Sequence, residues 1–408
     1  MNNEVTQSGG TIKDAWHDYK ARIKSGDMGA LPGVLGLIAL CAVFGVMSDV
    51  FLTPGNFANL LTQAAAVTVI AMGLVFVLLL GEIDLSAGYA SGVCGAVLVI
   101  LITNHGISWW IALLVSMVVG AILGFGIGSL VSRLGIPSFV VTLASFLGFQ
   151  GLLLLLAGEG GTIRVEDPTI LAVQNNNLSP SLSWFFFLLA SGAYVFIGLV
   201  RINSRRKAGL KSELKALWVI KTTSLIGIGA LAVYALNLER SNNPDLVSLK
   251  GTPYVVPVIL ALLVGGTFVL SRTAYGRHIY AVGGNAEAAR RAGIDVKRIR
   301  TSVFVICSTF AAIAGMLFAS RQNSISPTTG GSSTLLYAVG AAVIGGTSLF
   351  GGKGRLRDAV LGGLVVAVID NGMGLLGYAA GIKFIVTGLV LLISAGVDAI
   401  SRRGASSS

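Results

Sequence analysis

Few residues in this 408-residue chain are of types that do chemistry, and most stand alone in apolar sequence. Glu82 and Asp84 flank Ile83 at the end of a long apolar run. An acidic pair there is costly if it faces lipid, so it should face protein or a water-filled cavity. Asp84 and Ser86 then either stand beside a path or gate, or cap the next helix. Asp370 and Asn371 lie within another apolar run. They either offer hydrogen bonds to a passing polar solute or bond neighbouring helices together. Gln63, Thr142 and Ser145 are candidates of the same kind. None of these forms a nucleophile–base pair, so no catalytic residue is expected. His17, His105 and His278 are scattered, and Cys41, Cys94 and Cys307 lack metal-ligand spacing, so neither a metal site nor a cofactor is expected. Near Lys353 the sequence misses a phosphate-binding loop twice, at Thr347 and at Gly354.

A second stretch, residues 272–300, is basic. It carries Arg272, Arg277, Arg290, Arg291, Lys297, Arg298 and Arg300 between two apolar runs. Residues 285–292 read as a short helix. Asn285 can cap its start, and Glu287 places negative charge in its first turn. Ala288, Ala289 and Ala292 offer a small face, and Gly293 can end the helix in a left-handed conformation. Such a knob fits a groove on another protein. The alternative is an ordinary basic loop, with Arg290 and Arg291 on lipid phosphates.

The elements that must position these residues are helices in lipid. The chain is 54% hydrophobic and 12% charged, against about 25% charged for soluble domains. A membrane helix needs about 20 apolar residues. About twelve such segments are present, near residues 31–49, 60–80, 86–103, 109–131, 138–157, 184–200, 217–236, 254–270, 302–319, 334–350, 359–376 and 382–400. The expected fold is an all-α polytopic membrane protein with both termini cytoplasmic. Its parts are a leader (1–30, with an amphipathic stretch over 13–24), a transmembrane domain (31–400) and a tail (401–408). In the alternating arrangement only Arg164, Arg240, Lys250, Arg321 and Lys383 fall outside, which obeys the positive-inside rule and explains the net charge of +11 without nucleic acid. The outer loops carry Glu159, Glu166, Asp167, Glu239 and Asp245, either a docking face for a soluble protein or ordinary solvated loop. Gly120, Gly124 and Gly128 share one helix face, where another backbone can come close, within or between protomers.

Five segments carry a resemblance: GEIDLSAG (81–88), IPSFVVTLASFLGFQGL (136–152), GGNAEAARRAGI (283–294), GGTSLFGGKG (345–354) and DNGMGLLG (370–377). In this order they resemble the permease subunits of bacterial monosaccharide ABC importers, of the ribose and xylose types. DNGM at 370–373, and a segment at 184–250 that adds a helix pair to a core of about ten, look more like the xylose type. The resemblance implies a homodimer in the cytoplasmic membrane that imports a monosaccharide delivered by an extracytoplasmic sugar-binding protein. It also implies that Asn285, Glu287, Ala288, Arg290, Arg291 and Gly293 form the coupling helix for cytoplasmic ABC ATPase subunits. Where the family usually has glycine, this chain has Glu82. An ion-coupled secondary transporter, or an ABC permease for branched-chain amino acids or nucleosides, are the alternatives.

Overall fold

A computed structural model describes residues 31–158, 161–208 and 215–406. The expected leader, with its amphipathic stretch at 13–24, lies outside them. Each of the twelve apolar segments contains a helix. In chain order they are α1 (Leu31–Met47), α2 (Pro54–Leu78), α3 (Ala87–Thr103), α4 (Trp109–Arg133), α5 (Ser138–Ala157), α7 (Pro180–Lys207), α8 (Lys215–Asn237), α9 (Val255–Arg272), α12 (Val296–Gln322), α13 (Ser332–Ile344), α14 (Leu356–Leu375) and α15 (Ala380–Ser406). Three short helices complete the set: α6 (Pro168–Asn175), α10 (Ala274–Gly284) and α11 (Ala286–Arg291). Helix α15 continues through the expected tail as far as Ser406.

Among the described residues, eight helices are long and apolar enough to cross a membrane, fewer than the twelve expected. α1, α3 and α13 are shorter, and so is the apolar part of α15. The 13 residues of α13 rise about 20 Å, less than the roughly 30 Å hydrocarbon core. The apolar run continues past Ile344, but the helix does not. A Cβ on Gly345 would lie 1.8 Å from the Asp358 carbonyl oxygen, and Gly346 has φ +118°. The all-α expectation needs one small correction. β1 (Ile163–Arg164) pairs antiparallel with β2 (Ser324–Ile325), with Ile163 opposite Ile325. Neither segment is helical there, so the two backbones bond each other.

The chain divides into two compact units. In the smaller, residues 177–252, α7 and α8 pack antiparallel. The Trp218 ring covers Gly198 and Phe187 covers Gly229. In the larger, residues 31–176 and 253–398, α12 packs on α2, α3 and α4. The glycine face of α4 makes that contact. Cβ atoms on Gly120 and Gly124 would lie 2.6 and 2.3 Å from the carbonyl oxygens of Ser308 and Phe304, and one on Gly128 would meet the Thr301 backbone. This face is used within the protomer. The two ends of α2 differ. Thr53 caps the first, accepting from the Asn56 N–H, and the other gives way at Leu79 to an unwound stretch that reaches α3.

Candidate functional site

The sequence candidates fall into two groups, at opposite ends of α2. Gln63 and Leu79 are 16 residues apart on it, about 24 Å at helical rise.

The first group joins α2, α14 and α15. Gln63 donates through Nε2 to Oδ2 of Asp370, and Lys383 Nζ lies 3.4 Å from Oδ1. Asn371 and Asn56 exchange two amide hydrogen bonds, each 2.9 Å, and Asn371 also reaches Gln63 Oε1 at 3.4 Å. Asn56 further donates to the Phe51 carbonyl. On the same face of α2, Arg321 of α12 donates to Thr62 and Asn59. Asp370 and Asn371 are therefore not at mid-helix but in the last two turns of α14, where a charge is cheaper than at the bilayer centre. The Asn56–Asn371 pair is an interhelical bond, of about 0.6–2 kcal/mol in lipid. Asp370 keeps 30% of its side chain exposed. Sequence reading missed Asn56, Arg321 and Lys383 because a partner distant in the chain leaves no local pattern.

The second group lies in the unwound stretch after α2. Asp84 is fully buried. Its Oδ1 accepts from the Ser86 N–H at 2.9 Å and the Ser86 hydroxyl at 2.6 Å, and the Cys307 thiol of α12 lies beside it. Ser86, not Asp84, occupies the cap position of α3, and Asp84 braces it. Thr142 of α5 donates to the Ser138 carbonyl of its own helix at 2.8 Å, with the Ile83 carbonyl 3.3 Å away, and the Ile83 N–H donates to the Ser138 hydroxyl at 3.4 Å. Irregular backbone within a membrane domain is tolerated only where protein or water satisfies it, and here protein does. Ser145 is half-buried on α5 and takes part in neither group.

The basic stretch 272–300, read as a loop around one helix, is mostly helical. Thr273 caps α10 through the Gly276 N–H, and Ile279 and Val282 turn inward. Asn285 caps α11, its Oδ1 accepting from the Ala288 N–H at 2.9 Å. Gly293, φ +84°, closes it: its N–H reaches the Arg290 carbonyl and that of Ile294 reaches the Ala289 carbonyl. Of the three alanines expected on a small exposed face, Ala288 and Ala292 are exposed and Ala289 is not. Ala289 is buried, because it is the residue that anchors the helix. Glu287 stands outward, 2.8 Å from Arg290 and 3.2 Å from Arg291, and these two guanidinium groups hold its carboxyl below its ordinary range.

Of the five acids expected on outer loops, Asp167 and Glu239 have structural work, and Glu159 lies outside the described residues. Asp167 caps α6 through the Thr169 and Ile170 N–H groups. Glu239 gathers the N–H groups of Leu249, Ser241 and Arg240 and the Ser248 hydroxyl. The Leu249 N–H first, then that of Ser241 and the Ser248 hydroxyl, hold its carboxyl down at about 2. A lowered folded value stabilises the loop above the ordinary value of 4.5, and the contribution is lost as pH falls toward about 2. Exchange protection of the Leu249 and Ser241 amides is expected to hold above that range and collapse below it. In Glu239→Gln it should be weaker and flat. A flat profile in the unaltered chain sinks the assignment.

A family model described as branched-chain amino acid transport system / permease component matches residues 56–395. The xylose transport system permease protein of Escherichia coli (strain K12) is 36% identical over 93% of this chain and 94% of its own length. The protein of the same name from Haemophilus influenzae is 31% identical, over 94% and 99%. The ribose import permease protein of Escherichia coli (strain K12) is 27% identical, over 90% and 92%. No solved structure matches.

Proposed function

We propose, from the premise that this chain belongs to the family of branched-chain amino acid transport system permease components, that it is the membrane-spanning subunit of an ATP-driven importer for a monosaccharide, with xylose the first candidate. The observation that carries this is the end-to-end match, at 36% identity, with a xylose permease. The family description names branched-chain amino acids, but the Escherichia coli relatives aligned over nine-tenths of the chain are named for xylose and ribose.

In this reading two copies of the chain enclose the path in the bacterial cytoplasmic membrane, with about twelve crossings and both termini inside. The helix pair at 184–250 is an addition to the core. An extracytoplasmic binding protein delivers sugar to the outer face. Cytoplasmic ATPase subunits, which do the hydrolysis, grip α11 through Glu287, Ala288, Arg290 and Arg291, held in shape by Asn285 and Gly293. Lipid covers the remaining apolar faces. Gln63, Asp370 and Asn371 line the outer part of the path, where amides and a carboxylate suit sugar hydroxyls. Asp84, Ser86 and Thr142 belong to the inner gate, and Ser145 to the wall near it.

The rival is an ion-coupled transporter centred on Asp370. Gln63 and Lys383 already engage that carboxylate within the protomer, which supports a bracing place for it over an ion site. The test is uptake of labelled pentoses and hexoses in vesicles, with and without ATP, ATPase and binding protein. Uptake is expected to need all three, and Asp370→Asn to lower it roughly tenfold, the scale of one charged hydrogen bond lost, without changing its dependence on ATP. Uptake driven by a proton gradient without an ATPase, and abolished by Asp370→Asn, overturns the proposal.

A further inference from the structure

Three segments meet backbone to backbone at the unwound end of α2. Gly352 donates its N–H to the Leu79 carbonyl at 2.8 Å. A Cβ on Gly283, near the end of α10, would lie 1.8 Å from that same oxygen. Gly351, φ +82°, packs on Gly81 N and the Gly283 carbonyl. Tyr280 of α10 ties down the third segment, its hydroxyl donating to the Gly354 carbonyl at 2.8 Å. The helix leading to α11 therefore rests directly on the stretch that leads to buried Asp84.

The bare approach of Gly283 to the Leu79 carbonyl can push but cannot pull, and the Gly352 hydrogen bond to that carbonyl holds the stretch to the third segment and not directly to α10–α12. Van der Waals contact resists compression steeply and yields to separation at little cost. A charge pair holds in both directions. Glu82, next to Gly81 and two residues before Asp84, has its Oε1 3.2 Å from Nε of Arg300, in the second turn of α12. The Glu82 side chain is only 14% exposed, so the pair is less screened than a surface one. Among the described residues it is the one ion pair that joins the stretch after α2 to the 272–300 region. Downstream, the Ile83 N–H donates to Ser138 of α5, and Asp84 lies beside Cys307, two helical turns beyond Arg300 on α12.

We propose that the Glu82–Arg300 pair is the tie that makes the unwound stretch follow α10–α12 in both directions, so that movement imposed on α11 displaces Asp84 on the return as well as the forward stroke. Both are positioning residues. The proposal rests on the reading of α11 as the helix that receives force from an ATPase.

The test uses the full chain in vesicles with ATPase and binding protein, measuring sugar uptake and ATP hydrolysis side by side. Glu82→Gln and Arg300→Gln are each expected to lower uptake per ATP hydrolysed roughly tenfold, within the usual range of coupling between sites. Hydrolysis itself should persist. The exchange Glu82→Arg with Arg300→Glu rebuilds the pair and is expected to restore the ratio. A merely structural role would instead lower uptake and hydrolysis together. Unchanged ratios in both single variants overturn the proposal, as does an exchange variant that inserts but stays uncoupled. If a single variant fails to insert, Glu82→Asp takes its place: it keeps the charge, shortens the reach, and should lower the ratio in part, while an unchanged ratio again overturns the idea. Uptake by the unaltered chain that needs no ATPase would sink the underlying reading instead, before any variant is made.

Discussion

Glu287→Ala combined with Gly293→Val leaves the protein inserted but abolishes ATP-driven uptake. Gly293 ends α11 at φ +84°, a conformation that costs a side-chain-bearing residue about 1–2 kcal/mol, and more when it is β-branched. Valine therefore pulls the Gly293 and Ile294 N–H groups off the Arg290 and Ala289 carbonyls and unravels a helix of only 6 residues. Removing Glu287 takes away the carboxylate that holds Arg290 and Arg291 together on the exposed face. Ala289 is the buried residue of this helix, and neither substitution removes its side chain, so insertion is spared. Uptake should fall by roughly a hundredfold, two steps of the tenfold that each 1.4 kcal/mol gives, while the amount of protein in the membrane is unchanged. Full uptake in the double variant removes α11 from the docking surface.

The second large effect is steric. Gly124→Leu should leave little folded protein. A Cβ there would sit 2.3 Å from the Phe304 carbonyl oxygen and 2.7 Å from the Val305 Cα. Both are backbone atoms of α12 and cannot swing aside, so α4 and α12 must separate. Overpacking a core costs typically about 1–3 kcal/mol and more when backbone must move, and here the separation also opens the seam at Gly120 and Gly128. Gly126→Leu is the control. Two residues on, it faces away, and its Cβ would meet nothing within 4 Å. Monodispersity in mild detergent should be lost in the first and kept in the second. Equal behaviour of the two variants refutes the packing assignment.

Much of the site was legible locally. The cap at Asn285 and the left-handed Gly293 are properties of a short run of sequence, because a side-chain acceptor and a residue without Cβ act on the backbone beside them. The face of Gly120, Gly124 and Gly128 was likewise readable, since helical periodicity alone puts them in line. Which helix it meets was not, because nothing in the residues 109–133 names residues 296–322.

Sequence alone determined the family and the membrane character of this protein. The apolar segments each contain a helix, since lipid leaves the backbone no other partner than itself. Tertiary structure decided the rest. It stopped α13 short of a full span by packing Gly345 against Asp358, and it showed two polar groups at the two ends of α2. It also gave Asp370 a lysine and Glu82 an arginine. Helix formation depends on neighbours within four residues, whereas these pairings join side chains 13 to 315 residues apart, which only packing can bring together.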